Sequence, residues 1–84
     1  MSDLQAAFDA AVKQSTLLSA KPDNATLLKI YALYKQATDG DNEGDKPSFT
    51  DIVGRAKWDA WTKLAGMDAA QAQQGYIELI DSLS

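Results

Sequence analysis

The sequence contains neither cysteine nor histidine. Without cysteine there is no disulfide, no thiolate metal ligand and no thiol nucleophile. Without histidine the commonest general base and the commonest transition-metal ligand are missing. The serines and threonines have no imidazole to activate them, so no catalytic residue, no metal ligand and no enzyme are expected. Basic residues are also short: eight Lys and Arg face twelve Asp and Glu, a net charge of −4 over 84 residues. Phosphate neutralisation supplies most nucleic-acid affinity, so an acidic chain excludes that partner class. No apolar run is long enough to span a bilayer. The opening Met1-Ser2-Asp3-Leu4 lacks the charged-then-apolar pattern of a secretory signal. A soluble, cytoplasmic protein is the expectation. The length fits one domain over residues 1–84, holding one small core.

What is present is helical periodicity in four stretches. Leu4, Phe8, Ala11, Val12, Ser15 and Leu18 recur at steps of three and four, one face of a helix that Asp3 can cap and Lys21-Pro22 ends. Asp23 or Asn24 can cap a second helix, whose inner face carries Leu27, Ile30, Tyr31, Tyr34 and Ala37, and Gly40 breaks it. Residues 39–50 are polar, acidic and glycine-bearing, and read as a loop. A third helix runs from Thr50 or Asp51 to Leu64, with Ile52, Ala56, Ala60, Trp61 and Leu64 in phase; Gly66 ends it. Asp68 can cap a fourth, with Ala69, Ala72, Tyr76, Ile80 and Leu83 in phase and a costly Gly75 inside. The expected fold is all-α: four short helices burying their stripes against one another. The long connection between helices 2 and 3 argues against a symmetric up-down bundle and leaves room for a concave face.

Two segments stand out. In the second helix, Tyr31 and Lys35 are four apart and Tyr34 lies on the same side. On their own these read as packing tyrosines beside a solvated lysine. In the third, Lys57 sits next to the inner-face Ala56, so its ammonium can reach a cleft. Trp61 reads as core, and Trp58, off the main stripe, as a cleft edge. Fixed cations and aromatics on apolar helices suit a ligand with an aromatic ring, phosphates and a greasy part.

The runs YKQATDGD (residues 34–41) and AKWDAW (residues 56–61), with their separation, resemble the acyl-CoA-binding protein family. Phe8, Lys21-Pro22, Pro47, Asp51 and Tyr76-Ile77 fall at the family's spacing, so the likeness covers nearly the whole chain. It implies a four-helix bundle of that type and a ligand surrounded by Tyr31, Lys35, Lys57 and Tyr76. Lys35 and Lys57 would take the ribose 3′-phosphate with the Tyr31 hydroxyl. Tyr34 and Tyr76 would offer faces to the adenine, and Leu27, Leu28 and Ala56 an apolar floor for the acyl chain. It further implies a monomeric, non-covalent carrier of long-chain acyl-CoA in fatty acid metabolism, with acyl-CoA-using enzymes as partners and no cofactor. Departures are the non-basic Thr16 and Val53, where the family often has lysine, and Lys46-Pro47-Ser48 before the third helix. The orientation of Arg55 is left open by spacing.

Other readings compete. Asp39, Asp41, Glu43 and Gly44 match the start of a calcium-binding EF-hand loop, but Thr50 stands where the bidentate carboxylate belongs. Asp81-Ser82-Leu83 resembles the prosthetic-group site of acyl carrier proteins, without the helix that should follow it. The rival from a different class is a helical protein-interaction module that uses the same tyrosine-lined face.

Overall fold

A computed structural model describes residues 3–84 as four α-helices: α1 (Asp3–Ser15), α2 (Asn24–Asp39), α3 (Ile52–Thr62) and α4 (Ala69–Leu83). The all-α class read from the periodicity is the one observed, and no strand occurs among the described residues.

Carboxylates set three of the starts. Asp23 accepts from Thr26 N at 2.8 Å and Asp51 from Gly54 N at 3.0 Å. Asp68 forms a capping box with Gln71, each side chain bonded to the other's backbone N–H. These bonds satisfy amides that have no partner within the helix. Asp3 lies inside the first turn of α1 rather than outside it as a cap. Gly40, at φ 82°, stops α2 in a backbone region that side chains disfavour. The end of α1 comes earlier than Lys21-Pro22. Ser15 Oγ donates to Val12 O and Thr16 Oγ1 to Lys13 O, while the amides of Thr16 and Leu17 make three-residue turn bonds. Two successive hydroxyls compete for the last carbonyls and close the helix. Leu17 and Leu18 therefore fall outside it.

The core lies between α1, α2 and α4: Phe8, Ala11, Leu33, Tyr76 and Ile80 form its buried cluster. Gly75 has a packing reason. A Cβ there would sit 3.2 Å from Leu33 Cδ2, so glycine lets α4 approach α2 closely. Helix direction follows from side-chain pairs. Gln73 donates to Gln5 and Gln14 to Ser84, so α1 and α4 run parallel. Gln36 reaches Met67 O while Leu33 meets Gly75, so α2 and α4 are antiparallel. Asn24 shares a groove with Ile52, and Gln36 bonds Trp61, so α2 and α3 are parallel. The loop from Gly40 to Asp51 makes that parallel return possible.

Helix α3 packs on α2 alone and has no fully buried residue. Ile52, in phase with the inner stripe, is 76% exposed. The Cα positions extend 38 × 29 × 14 Å, little more than one helix diameter in depth. Both sides of the α2–α3 contact are therefore open.

Candidate functional site

On one side of that contact lies a groove of about 310 Å³. Leu27 and Leu28 from α2 and Ala56 from α3 line it, and its walls carry almost no polar atoms. Lys57 stands at its edge, with Nζ 5.3 Å from the ring centroid of Tyr31. Helical spacing explains this. Leu27, Tyr31 and Lys35 recur every four residues along α2, and Ala56 brings Lys57 to the same seam. A lysine over a tyrosine face is attracted by the ring quadrupole, so the cation is held near an apolar surface with no ion pair among the described residues. Ile52 and the 65%-exposed Val53 form the groove's apolar lip. Periodicity puts Ile52 in the core stripe, and Val53 stands where the family often has lysine. Two adjacent aliphatics at the start of a helix facing leucines were the available signal.

Lys35 is arranged differently. Its ammonium lies 5.0 Å from the Trp61 ring centroid and is ion-paired with Asp39. The hydrogen bond to the Asp39 carboxylate holds the Lys35 pKa above the ordinary lysine value. Asp39, missed as a site residue, was findable by its position four residues on.

Tyr34 and Tyr31 diverge, although they are only three residues apart. Tyr34 turns toward α1, stacked with Phe8 at 6.1 Å between ring centroids, and remains 40% exposed. It lines a shallow depression with Lys13 and Thr38. Lys13 is thus a further cation on this side, where the sequence reading stressed only the absence of one at Thr16. Tyr76 lies in the core cluster behind Tyr34. It is 2% exposed, with its ring edge-on to Phe8 at 5.2 Å and tilted to Tyr34 at 6.2 Å. It offers no open face for a base to stack on. It packs behind Tyr34 instead.

A family model described as acyl CoA binding protein matches residues 5–80. The chain belongs to the acyl-CoA-binding protein family. It is 45% identical to acyl-CoA-binding protein homolog 1 of Caenorhabditis elegans, over 90% of this chain and 88% of that protein. It is 43% identical to the acyl-CoA-binding protein of Saccharomyces cerevisiae, over 90% and 87%. The human enoyl-CoA delta isomerase 2 is 44% identical over 92% of this chain, which spans only 20% of that protein's length. Acyl-CoA-binding protein 2 of Oryza sativa superposes with a TM-score of 0.91 at 32% identity, over 95% of this chain and 89% of that one.

In this member of the acyl-CoA-binding protein family, one buried amide joins the segments behind the seam. Gln36, 1% exposed, donates through Nε2 to Asp41 Oδ1 and Met67 O, both at 2.8 Å. Its Oε1 accepts from Trp61 Nε1, which also donates to Gly40 O. Asp41 Oδ1 further accepts from Gly66 N, and these two bonds, the Gly66 one first, pull its pKa below the usual carboxylate range. Asp41, the third position of the EF-hand likeness, is exposed but has its Oδ1 engaged by two protein donors. Trp61 is half-buried rather than fully core, because its indole N–H serves this hub. Trp58 does not edge the cleft. Its Nε1 donates to Gly44 O and Lys46 lies 5.4 Å from its ring, so it pins the long loop. Asn42 adds to that by donating to Thr62 Oγ1 and Trp58 O.

Proposed function

We propose that this chain is a non-catalytic, cytoplasmic carrier of long-chain acyl-CoA thioesters that acts as a monomer and hands its ligand to acyl-CoA-using enzymes. The observation that carries the reading is the Lys57 ammonium held over Tyr31 at the edge of an apolar groove. The acyl chain lies over Leu27, Leu28 and Ala56. Each methylene removed from water contributes about 0.8 kcal/mol, so ten give roughly 8 kcal/mol before ordering costs. Lys57, the Tyr31 hydroxyl and Lys35 take the phosphate, each hydrogen bond to a charged group contributing about 1.5–3 kcal/mol. Lys35 must first leave Asp39. The exposed face of Tyr34 receives the adenine, at about 1–3 kcal/mol for stacking. Tyr76 holds Tyr34 in place from behind. Screening over about 8 Å keeps the net negative charge from repelling the anionic ligand, so the local cations decide.

Calorimetry with hexadecanoyl-CoA, coenzyme A and hexadecanoate tests this. The thioester should bind far more tightly than either fragment. Affinity should rise by up to about 0.8 kcal/mol per methylene and then flatten once the tail outgrows the groove. Equal affinity for thioester and free acid would remove the head-group site, and affinity independent of chain length would leave only a nucleotide binder. No response to any of the three would favour a protein-interaction module.

A further inference from the structure

Three large apolar side chains within five positions stand out in solvent where α3 begins. Phe49, Ile52 and Val53 are 79%, 76% and 65% exposed. Single exposed apolar residues are ordinary on a protein surface, whereas a group of them beside a groove marks a docking face. Ile52 and Val53 also line the groove over Leu27, Leu28 and Ala56, so the patch is continuous with its mouth. Phe49 lies outside the groove, in the turn that Asp51 N closes onto Ser48 O. Cations accompany the patch. Lys57 is four residues beyond Val53 and Arg55 three beyond Ile52, so both neighbour it on the helix surface. Neither has an ion pair among the described residues. The carboxylates at this end are engaged: Asp51 accepts from Gly54 N, and Asp23, next to the groove-lining Asn24, accepts from Thr26 N. Each caps a helix N-terminus, whose dipole offsets part of its charge.

We propose that Phe49, Ile52 and Val53 dock the empty protein on an anionic lipid bilayer, and that filling the groove with an acyl chain releases it. Charge selects the occupant, since unpaired Arg55 and Lys57 beside apolar side chains complement a surface of anionic head groups over hydrocarbon. Size agrees. A stable protein interface takes about 20–30 residues a side, whereas a few apolar side chains suffice for shallow insertion. The release follows from continuity. An acyl chain in the groove covers Ile52 and Val53 from their groove side, and a phosphate on Lys57 cancels one of the two cations. The apolar and the electrostatic attraction to the bilayer therefore fall together. The release rests on the acyl-CoA reading; the docking of the empty protein does not.

Vesicle flotation tests both halves. Empty protein should float with phosphatidylcholine vesicles containing about one-fifth phosphatidylserine, and less with phosphatidylcholine alone. Phe49→Ser should lower the partitioning about tenfold, the contribution of one buried apolar side chain, and Phe49→Trp should retain it. Phe49 is outside the groove, so calorimetry with hexadecanoyl-CoA and no vesicles should give Phe49→Ser the native affinity. Preloading with decanoyl-CoA should lower flotation about tenfold, while coenzyme A, which has no acyl chain, should lower it less. The proposal is overturned if the empty protein does not float, which would leave the patch to a protein partner. It is also overturned if Phe49→Ser floats like the native protein, if neutral vesicles hold it as well as anionic ones, or if the loaded and empty forms float alike. Failure of the acyl-CoA reading shows separately, as no heat with hexadecanoyl-CoA in the absence of vesicles; the release then falls, and flotation of the empty protein and its Phe49 variants still decides the docking.

Discussion

Replacing Tyr76 by alanine should unfold much of this protein's stability margin rather than remove a ligand contact. The side chain is 2% exposed and sits between Phe8 and Tyr34, with ring centroids 5.2 and 6.2 Å away. Truncating a buried aromatic costs about 3–5 kcal/mol, part of it from the cavity left behind. The lost ring–ring geometry with Phe8 and Tyr34 is part of that cost. Eighty-four residues at roughly 0.05–0.15 kcal/mol each hold only about 4–13 kcal/mol in total. With a urea slope of about 1.5 kcal/mol/M, the midpoint should fall by about 2–3 M at unchanged slope. Tyr76→Leu, which refills part of the space, should recover part of the loss. Urea melts followed by tryptophan fluorescence measure both. A fall below about 1 kcal/mol for Tyr76→Ala, together with lost acyl-CoA affinity, would refute the packing argument and return Tyr76 to the ligand.

Lys35→Ala and Lys57→Ala should each weaken acyl-CoA binding by about 1.5–3 kcal/mol with unchanged melting, and the double variant should lose less than the sum if both touch one phosphate; wild-type affinity in calorimetry would remove the assigned head-group site. Asp39→Asn should tighten binding by up to about fivefold at low salt, because Lys35 no longer has an exposed partner to leave; weaker binding would mean that Asp39 orients the lysine instead. The folded pKa of Asp41 lies below its unfolded value, so its contribution is full above the ordinary carboxylate range and is lost as pH falls through the folded value. Thermal melts between neutral and strongly acid pH should therefore show a shallower acid limb in Asp41→Asn, and identical limbs would count against its bonds to Gly66 and Gln36.

Legibility in the sequence followed the locality of the physics. Caps act within three residues, so Asp23, Asp51 and Asp68 were readable as helix starts. The stripe of Ala72, Tyr76 and Ile80 was readable because α4 packs along its length on two helices. The end of α1 was not, since Pro22 is the louder signal and the hydroxyls of Ser15 and Thr16 act first. Periodicity marked Ile52 as inner because it cannot show that α3 has only one neighbour. It also put Tyr31 and Tyr34 on one face. About 60° separates them around the helix, enough for one to meet Lys57 and the other Phe8. The acyl-CoA family was legible from two runs; which aromatic is wetted and which is buried depended on where α1 and α4 lie.

Because α3 rests on α2 alone, it is the part of the chain whose amides should open to solvent most readily. A ligand seated against Ala56 and Lys57 supplies the second surface that this helix lacks. Its binding energy then adds to the local opening free energy in proportion to the logarithm of ligand concentration. Hydrogen exchange along residues 52–62 becomes a gauge of loading, while the α1–α4 pair, buried whether or not the cleft is filled, serves as the internal reference.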